Sequence, residues 1–400
     1  MAISQTTGPR TTFVARLTKL EQVRGLSRDE LAELQPVEQR FVFRSNSYYE
    51  SLIDWNDPED PIRKLVIPDV RELDEWGELD ASNELAYTRA PGLQHKYRET
   101  ALLLVNDVCS AYCRFCFRRR LFLDDNDEVA KDVSAGLEYI ADHPEITNVL
   151  LTGGDPLVLS TKRLTAIIER LRAIPHVKII RIGTKIPAFE PQRIVDDSAL
   201  LQLIHTHSAA PRKIYIMAHF THPRELTREA ITAIDALQRA GAMVANQTPL
   251  IAGINDKAEV LAELHNRLSF SGATPYYVFQ CRPTLGNKSY AVPLEEAYRI
   301  FWTAQSCCSG LARRARFVMS HETGKIEVLA AKDGLVYMKY LRAADPANED
   351  RLMVFPSNPD AYWLDDYVTS GLPSRQRAAE AIVDADRGCD VLSGGGIADP

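Results

Sequence analysis

The chain has 400 residues, 45% hydrophobic and 25% charged, with 47 basic against 54 acidic side chains and a formal net charge of -7. This is globular composition with enough chain for a substantial core, and the negative balance excludes the broad basic field that a nucleic-acid backbone requires. The start, MAISQTTGPRTTFVARLTK, lacks the apolar stretch of about 7 to 15 residues of a secretion signal, and no run approaches the roughly 18 apolar residues that span a bilayer, so a cytoplasmic location is expected, with neither membrane nor nucleic acid as partner.

Residues 1–95 carry polar, helix-like stretches such as SRDELAELQPVEQRF and the proline-containing DWNDPEDPIRKLVIPDVREL, which predict a helical N-terminal region. From residue 96 short apolar runs alternate with amphipathic segments. The runs are ALLLVN (101–106), NVLLT (148–152), KIIRIG (178–183), KIYIMA (213–218), MVANQ (243–247) and PYYVF (275–279). Between them DEVAKDVSAGLEYIADH, TKRLTAIIERLRAI, DDSALLQLIHTH, RELTREAITAIDALQRAG and DKAEVLAELHNRLS have helical periodicity, with Ser160 and Asp256 as candidate caps.

Repeated strand-helix units predict an α/β fold with a parallel sheet, here a partial (β/α)6 TIM-like barrel over 96–320. Residues 321–400 form a C-terminal region, in which RAADPANEDR and the closing SGGGIADP predict partial disorder. Polar residues cluster just after each predicted strand: 106–116, 153–156, Thr184, His219 and His222, Asn246 and Gln247, and 280–282. In such barrels chemistry collects at the C-terminal strand ends, so these residues predict one shared mouth.

The densest of these clusters is CSAYCRFCFRRR, in which Cys109, Cys113 and Cys116 follow the first strand as CxxxCxxC. Thiolates hold iron-sulfur clusters, and a four-iron cluster normally takes four of them. Three on one loop leave one iron open to a small molecule. Buried cysteines in a turn, with or without zinc, are the plainer alternative. The other four cysteines form no second CxxC pair, and the odd total of seven suits a reducing compartment better than a disulfide framework.

The cysteine spacing resembles the radical S-adenosylmethionine (SAM) superfamily. YCRFCFRRR, LLTGGDPL, RIGTKIP with PQRI, HFTHP, NQTPLIAGIND and PYYVFQC, in this order over roughly residues 90–330, are similar to lysine 2,3-aminomutase and its relatives. The resemblance implies a 4Fe-4S cluster on Cys109, Cys113 and Cys116, whose open iron binds the methionine portion of SAM. It also implies an external reductant such as a flavodoxin or ferredoxin, and leaves a homo-oligomer open. Gly153, Gly154 and Asp155 then hold SAM, the aspartate on its ammonium, with Thr184, His219 and Gln247 as further cofactor contacts. For GGDP the plainer reading is a turn whose aspartate caps the next element.

The aminomutases also use pyridoxal 5'-phosphate (PLP), held in the resting enzyme by a lysine. In RFVMSHETGKIEVL that position is Lys325. Where the family has HRYPDR, with two arginines for the coenzyme phosphate, this chain has HKYRET, so Lys96 and Thr100 replace them and Arg98 is the candidate to compensate. Arg118 matches the residue that pairs with the substrate α-carboxylate. The two aspartates that receive a lysine ammonium correspond to Arg282 and Val318, which implies an acidic or anion-bearing amino acid such as glutamate or aspartate. Arg282 could instead pair internally, with Glu295 or Glu296. Lys257 stands where a zinc-binding cysteine can occur, so dimerisation through that metal is not implied. The competing functions are PLP-independent radical chemistry and a cluster protein for electron transfer or sensing.

Overall fold

The computed structural model describes residues 14–123 and 126–368. A two-stranded ribbon pairs β1 (Arg16–Leu17) with β2 (Ser45–Asn46). The remaining strands make a single twelve-stranded sheet in chain order: β3 (Thr88–Ala90), β4 (Leu93–Tyr97), β5 (Thr100–Asn106), β6 (Asn148–Gly153), β7 (Ile179–Thr184), β8 (Ile214–Ala218), β9 (Met243–Leu250), β10 (Thr274–Gln280), β11 (Arg316–His321), β12 (Gly324–Lys332), β13 (Leu335–Ala343) and β14 (Leu352–Pro356).

The six predicted runs are β5 to β10, and all pair in parallel. β5 is a near-continuous apolar run because both its faces are covered, as parallel strands require. Helices Ser134–Asp142, Thr161–Ala173, Ser198–His207, Arg228–Arg239, Ala258–Phe270 and Leu294–Ser306 follow them in turn. Ser160 caps its helix as expected, accepting from Arg163 N. Asp256 does not; it accepts from Gly253 N in the preceding turn.

A seventh parallel strand, β11, pairs with β10, and the chain then turns back through antiparallel β12, β13 and β14. The outer strands β3 and β14 do not pair, so the barrel is open. RAADPANEDR is not irregular. It closes β13, makes a turn in which Asp345 accepts from Ala347 N, and leads into β14. The SGGGIADP terminus lies outside the described residues.

The helical N-terminal stretch contains Arg28–Arg40, capped by Ser27 and Glu30, and Pro61–Val66, capped by Asp60; the same stretch ends in strands β3 and β4. Its apolar side chains form a second core. Phe43, Tyr49, Leu65 and Val66 pack with Ala111 and Phe115 of the cysteine loop and with Phe189, Ile251 and Cys281 at the barrel mouth. The cysteine loop is therefore enclosed between two layers. No helix of the described residues is long and apolar enough to cross a membrane.

Candidate active site

A cavity of about 460 Å³ opens at the C-terminal ends of the parallel strands; the three cysteines, Gly153, Gly154, Asp155, Thr184, His219, Gln247, Lys96, Arg118, Arg282 and Lys325 all line it, whereas His222, Asn246 and Val318 do not. Cys109, Cys113 and Cys116 are free thiols on the loop after β5. The N-terminal layer fixes that loop by its backbone: Tyr112 N donates to Arg44 O (2.9 Å) and Arg114 N to Leu65 O (3.0 Å). Arg114 is buried against Glu72, with Nε and Nη2 donating at 3.0 and 2.8 Å. The arginine between the second and third cysteines is thus structural.

The two glycines after β6 serve the same loop. Gly153 has φ +114°, and a Cβ on it would strike Asn106 O; one on Gly154 would lie 2.6 Å from both Val108 N and Val108 O. The backbone they admit is the neighbouring loop's, where the sequence had suggested a ligand's. Asp155 caps the turn Pro156–Val158, accepting from Leu157 N (2.9 Å), and its other oxygen accepts from Thr184 Oγ1 (2.8 Å) and Lys185 N (2.7 Å). The plainer capping reading holds for this carboxylate. Burial raises it to about 6 despite these bonds. Thr184 is occupied in the same knot.

Lys185, which the sequence reading did not single out, is buried beside Cys113 and bonds Glu225 (2.7 Å), His219 O (2.8 Å) and Thr221 Oγ1 (3.0 Å). Nε2 of His219 is buried without a partner, and burial, then the Lys185 charge, hold its imidazole well below the usual range. Gln247 comes from β9.

Arg118 and Arg282 do not stand at opposite ends. Both reach one carboxylate, that of Glu84: Arg118 Nε and Nη2 donate at 3.0 and 2.9 Å, and Arg282 Nη1 lies 3.6 Å away. Arg118 Nη1 donates to Thr152 Oγ1 (2.9 Å), and the Arg282 guanidinium sits 3.7 Å over the Phe117 ring. Burial pushes Arg282 down to about 10. Neither Glu295 nor Glu296 is its partner: Glu295 accepts from Ser357 Oγ, Asn358 N and Tyr367 OH, and Glu296 pairs with Arg299. Val318 is buried in the core of β11.

Lys325 sits on β12, in a hairpin with β11, and Gly324 before it is needed because a Cβ there would strike Arg342 O. Its amine lies over the rings of Tyr277 (4.4 Å) and Phe279 (5.3 Å). Burial, with Arg181, Arg282, Arg342 and Lys96 around it, lowers the amine to about 7. Lys96 donates to His321 O (2.6 Å), and burial brings it to about 8. Arg98 is exposed and does not line the cavity, so it does not compensate for the altered HKYRET segment. Arg181 and Arg342 do line it.

The residues present fit the groups that the sequence implied. Burial pushes all three cysteine thiols up, Cys113 to about 12, so the loop offers soft donors whose ionised form needs a cationic partner such as an iron cluster. The Lys325 amine with two arginines alongside fits an aldehyde carrying a phosphate.

Comparison with known proteins agrees. Residues 103–265 match the profile of the radical SAM superfamily. An Aquifex aeolicus protein provisionally named L-lysine 2,3-aminomutase is 54% identical over 362 residues, 90% of this chain and 96% of that one. The L-lysine 2,3-aminomutase of Fusobacterium nucleatum is 40% identical over 269 residues, 66% of this chain and 62% of that enzyme's length. The glutamate 2,3-aminomutase of Clostridioides difficile is 34% identical over 297 residues, 73% of this chain and 68% of that one. The chain therefore belongs to the lysine 2,3-aminomutase family of the radical SAM superfamily.

Proposed function

We propose that this protein is an aminomutase that moves the amino group of an acidic or otherwise anion-bearing α-amino acid to the adjacent carbon, with PLP carried on Lys325. When bound, the cluster and SAM supply a carbon radical that takes hydrogen from the substrate, and PLP supplies an aldehyde for the migrating nitrogen. The supporting observation is the Lys325 amine: it shares a cavity with three free cysteines, lies over two aromatic rings, and is held near neutrality by burial and cations. A neutral amine is the form that attacks a carbonyl. Arg181 and Arg342 supply charge for a phosphate in place of the two arginines missing from HKYRET.

The charge of the lining supports the substrate class. Among the described residues Lys96, Arg118, Arg181, Lys185, Arg282, Lys325 and Arg342 line the cavity with only two acids, Glu84 and Asp155. Asp155 is consumed by backbone and Thr184, and Glu84 by arginines, so a lysine ammonium would meet no free carboxylate. A cluster protein without turnover gives the Lys325 environment no use. The three free thiols suit a reducing cytoplasm, and the cluster would draw electrons from a flavodoxin or ferredoxin.

The test is chemical trapping. Wild type and Lys325→Ala are loaded with PLP, reduced with borohydride and digested, and the peptides are weighed. A PLP mass on the Lys325 peptide of wild type, lost without gain elsewhere in the variant, supports the coenzyme site. No lysine-dependent label in wild type would overturn it in favour of PLP-independent radical chemistry.

A further inference from the structure

The segment from Asp74 to Ala90 crosses the open end of the barrel. Glu78 N donates to Pro283 O (3.0 Å) and Leu285 N to Glu78 O (3.2 Å), which ties it to the loop after β10. Ser82 Oγ donates to Ser320 O and Tyr87 OH to Glu322 O, both at 2.8 Å, which ties it to the β11–β12 turn. Between these ties Asn83 takes a left-handed conformation, φ +48°, and the turn Glu84–Tyr87 begins. Most of the segment is half-exposed or exposed, and Leu85 points to solvent at 52% exposure. Trp76 anchors one end on Tyr362 and the second core, and β3 anchors the other on β4; between them residues 78–87 are held mainly by polar contacts, namely those hydrogen bonds, Asp80 on Arg120 and the Glu84 carboxylate.

That carboxylate occupies the Nε/Nη2 edge of Arg118, a two-pronged site for an incoming anion. Nε and Nη2 are given to Glu84, and Nη1 to Thr152. Arg120 also reaches Glu84, at 2.9 Å, but it has Glu128 (2.7 Å) and Asp80 (3.4 Å) as well and keeps its counter-ions if Glu84 leaves. Among the described residues Arg118 and Arg282 have no second acid. With Glu84 in place a substrate carboxylate would meet another carboxylate; with Glu84 gone two buried guanidinium groups would be left unpaired. Exchange of one carboxylate for the other avoids both costs.

We propose that Glu84 is a specificity-determining residue that stands where the substrate carboxylate binds, and that substrate enters by displacing it as the segment around it lifts from the mouth. Only a ligand that brings a carboxylate can complete the exchange; a neutral or cationic one cannot. This rests on the reading of Arg118 and Arg282 as the substrate-carboxylate site.

The exchange can be measured without cofactors. Malonate, its neutral analogue malonamide, and L-glutamate are titrated calorimetrically into wild type and Glu84→Gln, and tryptic cleavage after the exposed Arg89 is followed with and without malonate. Expected are malonate binding at least about tenfold tighter in Glu84→Gln, malonamide unchanged, and faster cleavage of wild type when malonate is present. Equal malonate affinity in the two proteins, or slower cleavage with malonate, overturns the proposal. Should malonate gain while L-glutamate binds neither protein, the exchange stands and the acidic-substrate reading falls. If Glu84→Gln does not fold, Tyr87→Phe loosens the same segment from outside the arginine cluster, and its malonate affinity must rise for the proposal to survive.

Discussion

The amine of Lys325 offers the most direct test of the cavity's electrostatics. At its ordinary value of 10.5 about one lysine in a thousand is neutral at pH 7.5; at about 7, roughly three-quarters are, an enrichment of several hundredfold. The perturbation is a pulse of acetic anhydride across pH 5 to 11, and the readout is the midpoint of the labelling profile of the Lys325 peptide. Lys332, at the far end of β12 with a side chain 79% exposed, serves as the internal reference. A midpoint near 7 is expected for Lys325. Arg342→Gln removes one neighbouring cation and should move the Lys325 midpoint upward. Coincident midpoints for the two lysines would refute the reasoning, since neither burial nor the surrounding arginines would then be acting on the amine.

The same shift has a stability sign: the folded value lies below the unfolded one, so the cost is complete below about pH 7 and vanishes as pH rises through 10.5. Lys325→Met should therefore stabilise the cofactor-free protein at pH 6 to 7, by an amount on the order of 5 kcal/mol at most, with the gain in unfolding midpoint fading toward pH 10.5. Glu72→Ala strands the buried Arg114 guanidinium and should cost about 3 to 5 kcal/mol in denaturant unfolding, whereas Asp235→Ala, in a surface pair with Arg239, should cost less than about 0.5 kcal/mol. Gly154→Ala forces the β6 end away from the cysteine loop; iron and sulfide bound after anaerobic reconstitution should drop well below wild type, with about 1 to 3 kcal/mol lost in stability.

The six parallel strands were legible because each is a compact apolar run, and their polar ends gave the mouth. β11 to β14 were not: in RFVMSH three consecutive residues are buried while GKIEVL alternates, and neither short run is followed by the helix that marks the other strands. The cysteines, Lys325 and Arg118 carry local motifs. Arg342 carries none, and Arg181 and Lys185, though inside RIGTKIP, gave no sign of their roles: each is a single basic residue on or beside a strand, and only the barrel's curvature brings them to one cavity. Glu84 had an indirect signal. Four arginines behind and among three cysteines need buried counter-ions, and the acids of ELDASNELAY lie shortly before them in the chain. Arg118 and Arg282 were assigned to separate ends because spacing along the chain says nothing about convergence in space.

The pinning of the cysteine loop to residues 44 and 65 also orders assembly. The N-terminal layer is synthesised first, yet its apolar faces have nothing to cover until the loop carrying Ala111 and Phe115 exists and the distant Phe189, Ile251 and Cys281 have been placed by the barrel. Its docking is then a late event that seals the thiols from one side. Cluster insertion is easiest before that closure. Afterwards the thiols are reached only from the cavity side, through the barrel mouth they line.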